Sequence, residues 1–266
     1  MIELPEYIRE PQRATIEWLR RRCADDPRIE ALVVIGSTAR GEALAGSDVD
    51  CAFVLSREER EERAARGELG MHGAAAEGRV PFGGEFTDID VLRLTAERGP
   101  EPARFAFTGA IVALSRTPGL ASVLARIPVY PEAERDEKMK SFVSQLPVHL
   151  AYLKHAVYAK KEWLLAETAV ELVLFAGRLI LAENRMLFPN RKQFMAALER
   201  APRKPDGFVE LARELSARPS IELAQRFYDG VMSFADWPTP AEGHWARFSR
   251  DRETNWRSGR AALADS

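Results

Sequence analysis

The stretch from Ile29 to Leu55 reads IEALVVIGSTARGEALAGSDVDCAFVL, and its interpretation decides the fold. Ile29–Gly36 is a short apolar, β-branched run ending in glycine, the pattern of a buried strand. Ser37 to Leu44 can form a short helix with Ser37 as N-cap, Gly46-Ser47 is a turn, and Asp48–Ser56 (DVDCAFVLS) reads as a second strand. Strands disfavour Asp, yet this one carries Asp48 and Asp50. Residues two apart share a face, so the two carboxylates lie side by side while Val49, Cys51, Phe53 and Leu55 point the other way. Adjacent anions repel and are costly to bury unless a cation neutralises them. Mg2+, which combines carboxylate oxygens with substrate phosphates, suits such a pair.

Working outward, Pro11 to Ala24 is helical, with Ile16, Leu19 and Cys23 at spacings of three and four. Arg57–Arg66 is a solvated helical run of Arg and Glu, and the glycine-rich Gly67–Gly84 reads as a mobile loop. A third strand is expected over Gly84–Thr95 (GEFTDIDVLRLT), and it repeats the anomaly: Asp88 and Asp90 alternate among Phe86, Ile89, Val91, Leu92 and Leu94. A carboxylate from this neighbouring strand would complete a site for two cations. A regular strand turns Glu85 away from Asp88 and Asp90, which leaves it outside that site. A short helix near Glu101–Phe107, a fourth strand at Gly109–Ser115 and a helix at Leu120–Ile127 follow.

Near Pro128–Pro131 the texture changes. Glu134–Pro147, Val148–Ala166, Glu167–Arg185, Lys192–Arg200, Asp206–Ala217 and Ser220–Phe234 all read as helices, and the last thirty residues as a surface wrap. The stripe Leu172, Phe175, Leu179 and Ala182 is helix-bundle core. His149 and His155 read as packing or surface residues, and Trp237, Trp245 and Trp256 as cover for the core ahead of an alternative role in lining an acceptor pocket. The fold class is therefore α/β (α+β): a short mixed sheet flanked by helices over residues 1–128, then an all-helical bundle over 129–266, with a cleft between them.

Composition removes several function classes. The chain has 266 residues, 46% hydrophobic, with 38 basic against 40 acidic side chains and a net charge of −2, which disfavours a protein that coats nucleic acid or an anionic membrane. The longest charge-free stretch, Ser141–Leu153, falls well short of the ~20 apolar residues of a membrane helix. The acidic start MIELPEYIREPQR does not read as a signal peptide, and two cysteines, Cys23 and Cys51, suit a reducing cytoplasm. Four scattered histidines without a His/Cys cluster disfavour zinc.

The chemistry concentrates around Gly36. A glycine lets phosphate approach the backbone where a strand gives way to a helix, Ser37 adds a hydroxyl, and Arg40 adds positive charge for a triphosphate. The Gly36–Gly41 run fits the opening of a P-loop, but Glu42-Ala43 stands where Lys and Ser/Thr are required. Phosphate cradle, carboxylate pair and third carboxylate together are equipment for metal-dependent transfer of a nucleotidyl group.

GSTARGEALAGSDVD followed by IDVLRL resembles the DNA polymerase beta-like nucleotidyltransferase superfamily, over about residues 30 to 95, and the helical half is similar in layout to the aminoglycoside and kanamycin enzymes of its small-molecule branch. The resemblance implies that Gly36 and Ser37 hold the triphosphate, that Asp48 and Asp50 bind Mg2+, and that Asp90, with Asp88 as second choice, is the third carboxylate, binding metal or acting as base for the acceptor hydroxyl. It also suggests a triphosphate-binding lysine from the helical half, for which Lys154 is preferred over Lys160 and Lys161, and a homodimer. The activity it implies is transfer of a nucleoside monophosphate, most often AMP from ATP, to a hydroxyl of a small molecule, an antibiotic among the options, with release of pyrophosphate. The alternatives are a protein or tRNA acceptor, as in toxin–antitoxin nucleotidyltransferases, and a nucleotide-binding protein without catalysis. A tRNA acceptor would favour a basic groove, which the net charge does not suggest. No histidine has an Arg five residues before it, so the Arg-x4-His pattern of the helical ribonucleases is lacking.

Overall fold

A computed structural model describes residues 4–259 and residue 263; the ends of the first and last stretches read above lie outside the described residues. The chain divides into two compact units, Met1–Val129 and Tyr130–Ser266.

In the first unit the element order is α1 (Glu10–Asp25), β1 (Ile29–Ile35), α2 (Gly36–Ala39), β2 (Val49–Leu55), α3 (Arg57–Ala65), β3 (Gly70–Gly73), β4 (Phe82–Thr87), α4 (Ile89–Arg98), α5 (Glu101–Ala106), β5 (Ile111–Ser115) and α6 (Leu120–Arg126). The strands form one mixed sheet in the order β3-β4-β2-β1-β5, in which only the β2–β4 pair is parallel. The apolar alternation of β1 and β2 feeds two cores, one on each face. Leu32, Val34, Cys51, Phe53 and Leu55 pack with Ile16, Leu19 and Cys23 of α1. Ala31, Val33, Ala52 and Val54 pack with Leu92 of α4 and Leu120, Val123 and Leu124 of α6. Both cysteines are free and buried, and burial, then the charge of Asp26, pushes the Cys23 thiol up to about 11.

Two expectations change here. The segment read as a mobile loop contains β3 and the start of β4; GMHG has little intrinsic strand preference and owes its conformation to pairing with β4. The strand expected over Gly84–Thr95 ends at Thr87, and α4 begins at Ile89. IDVLRLT fits either period. The helical one wins because Ile89, Leu92 and Ala96 face the core at spacings of three and four, which leaves Val91 and Leu94 exposed.

The second unit is helical: α7 (Arg135–Tyr158), α8 (Glu162–Glu183), α9 (Phe194–Arg200), α10 (Phe208–Ala217), α11 (Ile221–Phe234) and α12 (His244–Arg252), with short 3-10 turns at Glu132–Glu134 and Asn255–Ser258. α7 runs through Pro147 rather than breaking there. An internal proline costs ~3 kcal/mol, and the burial of Phe142, Val143, Leu146, Leu150 and Leu153 in the bundle core offsets it. Leu172, Phe175, Leu179 and Ala182 belong to the same core. Trp237 is buried in it and donates Nε1–H to the Val231 carbonyl, while Trp245 and Trp256 are exposed.

α12 is held to α7 by Arg247, whose side chain is 6% exposed. Its guanidinium donates to Ser141 Oγ, to Asp251 Oδ2 at 2.8 Å, and to Oε2 and the carbonyl of Glu137 at 3.0 and 2.9 Å. Removing one partner of a buried ion pair costs about 3–5 kcal/mol, and Arg247→Met should cost roughly that much. The denaturant midpoint of the second unit reads that loss. Among the described residues no helix is long and apolar enough to cross a membrane.

Candidate active site

The turn from β1 into β2 is built tightly. Gly36 has φ +71, a conformation that L side chains rarely adopt, and a Cβ placed on it would collide with Asp50 Oδ2 and stand 3.1 Å from Asp50 Cβ. Ile35 and Asp50 are paired in the β1–β2 register. The glycine and the carboxylate are therefore two halves of one feature, since the absence of a side chain at Gly36 makes the room that Asp50 occupies. Gly36→Ala should cost about 2 kcal/mol from left-handed strain and the displaced carboxylate. A thermal melt checks the stability.

The connection is anchored from α1 and from the segment just before it. Gln12, fully buried, donates Nε2–H to the carbonyls of Leu44 and Ser47 at 2.9 Å, and the Tyr7 hydroxyl donates to the Ala39 carbonyl at 2.7 Å. Ser47 Oγ accepts from the Leu44 amide, and the buried Thr38 hydroxyl donates to the Asp48 carbonyl at 3.3 Å. Asp48 is thereby fixed at the entry to β2, exposed, one residue before the strand begins. α2 is a single turn capped by the backbone of Ile35, so Ser37 is inside the helix rather than its N-cap. Ser37 is half-buried, and amides in the first turn of a helix lack intrahelical partners.

Gly36, Ser37, Asp48 and Asp50 lie together around this turn, and Asp88 and Asp90 do not join them. β2 and β4 run parallel, with Asp50 opposite Gly83 and Val54 opposite Thr87. Asp88 follows Thr87 and lies level with Leu55, about 16 Å along the sheet from Asp50 at ~3.3 Å per residue. It is the N-cap of α4, accepting from the amides of Asp90 and Val91 at 2.8 Å and paired with Arg60 Nε at 2.5 Å. Burial alone would raise its carboxyl; the Val91 amide, Arg60 and the Asp90 amide outweigh it and hold the carboxyl below the usual carboxylate range. Asp90 sits in the first helical turn, half-exposed, bridged to Arg57 at 2.7 Å and Arg93 at 2.9 Å. The expected strand pair Asp88/Asp90 is a capping arrangement, and its placement on a strand is corrected.

The carboxylate that does share Asp50's face was excluded from sequence. Glu85 is opposite Ala52, and Ala52 lies on the same face of β2 as Asp50. Glu85 is exposed, one strand across and two residues further along. The relation was hidden because it depends on where β4 ends and on which strand it pairs with. Among the described residues no three His, Cys, Asp or Glu side chains converge on a metal position. Mg2+ needs fewer: one or two carboxylates, completed by phosphates and water. The all-oxygen pair Asp48 and Asp50, the latter seated in the space that Gly36 leaves, supplies the carboxylates that requirement asks for.

Arg40 caps α2, its side chain 8% exposed, bridged to Glu42 at 2.8 Å and stacked 4.5 Å over the Phe105 ring. Lys154, in α7, donates to Gln225 Oε1 at 2.7 Å. His149 is buried against Phe175, where burial and then the charge of Arg252 push its imidazole down to about 3, while His155 is exposed.

No curated protein is detectably similar in sequence. Among solved structures, a nucleotidyltransferase-like protein from Exiguobacterium sibiricum 255-15 matches at a TM-score of 0.49 and 12% identity, over 83% of this chain and 74% of that one. The sequence model of the nucleotidyltransferase domain matches residues 16–175, more than half of the chain and the whole of the Gly36–Asp50 turn. On that match the protein belongs to the nucleotidyltransferase domain family, and it is a nucleotidyltransferase.

Proposed function

We propose that this nucleotidyltransferase moves a nucleoside monophosphate, AMP from ATP, onto a hydroxyl of a small-molecule acceptor and releases pyrophosphate. The observation that carries the reading is the fit of the Asp50 carboxylate into the space left by Gly36, which sets an acid directly beside the backbone where a triphosphate would lie.

The residues divide the work by position. Gly36 and Ser37 bind the triphosphate through backbone amides and the Ser37 hydroxyl. Arg40 Nε is paired with Glu42 and its guanidinium stacks on Phe105, so the assignment rests on the turn itself. Asp48 and Asp50 would hold Mg2+, which when bound supplies charge neutralisation at the phosphates. Through that charge the two acids would set where the α-phosphate lies. Glu85, on the same face, takes the third-carboxylate role in place of Asp90 or Asp88 and accepts the proton of the attacking hydroxyl. Positioning and electrostatics account for the rate enhancement, as in other phosphoryl-type transfers.

The test is transfer from α-labelled nucleoside triphosphates to a panel of aminoglycosides, lincosamides, sugars and nucleosides, with pyrophosphate measured in parallel. Labelled adducts with stoichiometric pyrophosphate support the reading. Labelled protein or tRNA in place of a small-molecule adduct would replace the acceptor class, and nucleotide binding without pyrophosphate would make the protein a binder.

A further inference from the structure

The pairing of the strands carries a line across the sheet from β1 to its β3 edge. Ile35 is opposite Asp50, Asp50 opposite Gly83, and Gly83 opposite His72. Paired residues in adjacent strands present their side chains to the same face. Met71, beside His72, packs into the core of the opposite face, which independently puts His72 on the face of Asp50. Gly83 contributes no side chain, and the imidazole fills the space above it: a Cβ on Gly83 would stand 2.9 Å from His72 Nδ1. At ~4.8 Å between strands, the backbones at His72 and Asp50 are about 10 Å apart, with no side chain on the strand between them. His72 is exposed, so its ring is open to a ligand.

The same pairing sets the direction of attack. Gly36 and Ser37 follow β1, on one side of Asp50; Gly83, Glu85 and His72 lie on the other. In-line displacement sets the attacking oxygen opposite the leaving group. With pyrophosphate held at Gly36 and Ser37, the acceptor hydroxyl comes from the β4–β3 side, over Gly83. We propose that His72 is an acceptor-binding residue, whose imidazole hydrogen-bonds the small-molecule acceptor and aims its hydroxyl at the α-phosphorus. The proposal rests on the nucleotidyl-transfer reading above. In the step it serves, the acceptor oxygen–phosphorus bond forms and the bond from the α-phosphorus to the bridging oxygen breaks. The hydroxyl proton passes to Glu85, and pyrophosphate leaves.

Two variants test it with the whole protein and an acceptor from the panel above. His72→Ala removes the ring; Gly83→Ala keeps it but pushes it aside, because the added Cβ needs its space. Each should raise the acceptor KM by about tenfold or more and leave the ATP KM within about twofold. An unchanged acceptor KM in both variants overturns the assignment, as does an equal rise in the ATP KM. If no panel compound accepts, histidine NMR decides. With Mn2+ and a non-hydrolysable ATP analogue, the imidazole signal that is missing from His72→Ala should broaden in the wild type, and a sharp signal overturns the proposal. An analogue that does not bind at all removes the nucleotidyl-transfer reading first, and the role of His72 with it.

Discussion

Asp50→Asn should leave the fold standing and reduce nucleotidyl transfer by about 10³-fold or more, equivalent to ~4 kcal/mol of lost transition-state stabilisation. The substitution is nearly isosteric, so the amide still fits the space beside Gly36 and the pairing with Ile35 and Gly83 is untouched. The negative charge is lost, and a thermal melt read in parallel separates lost transfer from lost fold. Asp48→Asn should follow in the same direction, since Asp48 is fixed by the Thr38 hydroxyl through its backbone rather than its carboxylate. Calorimetric titration with Mg2+ and a non-hydrolysable ATP analogue separates the effects: the Asn variant should lose the Mg2+-dependent part of the affinity and keep what Gly36 and Ser37 provide. If Asp50→Asn transferred label at the wild-type rate, the metal-dependent mechanism would be wrong.

How far the sequence disclosed this site varies residue by residue, for physical reasons. The β1–β2 turn was legible because its determinants are local: a β-branched run, a glycine at a strand end, and acids at two-residue spacing in an apolar stretch. The β4–α4 boundary was not. IDVLRLT satisfies both the strand and the helix period, and the residue that decides between them, Asp88, is stabilised by Arg60 from α3, nearly thirty residues earlier. Glu85 and His72 were out of reach for a related reason. Their relation to Asp50 passes through the parallel β2–β4 pairing and then the β4–β3 pairing, and β3 has no pattern of its own to announce it. Pro147 misled for the opposite reason: a strong local signal was overridden by burial on both sides of it.

The same boundary supplies the second large effect, a reversal of roles between Glu85 and Asp88. Glu85→Gln should lower transfer by about 10²-fold or more, the size of a lost general base, with little change in stability because the side chain is exposed on the sheet. Asp88→Ala should do the reverse. Its side chain is 3% exposed, caps α4 through two amides and pairs with Arg60, so its removal should cost about 2 kcal/mol at neutral pH while transfer by the folded protein persists. The pH dependence identifies the cause. Asp88 is held below its unfolded pKa, so its contribution is complete above about pH 4 and fades as pH falls through the folded value. Wild type and Asp88→Ala should therefore differ most near neutrality and converge in acid, which urea midpoints measured from pH 7 down to pH 2 will show. Asp90→Asn, at an exposed bridge to Arg57 and Arg93, should change stability by less than about 1 kcal/mol. Were Asp90→Asn to abolish transfer while Glu85→Gln did not, the third carboxylate would belong to α4 after all, and the register argument would fail with it.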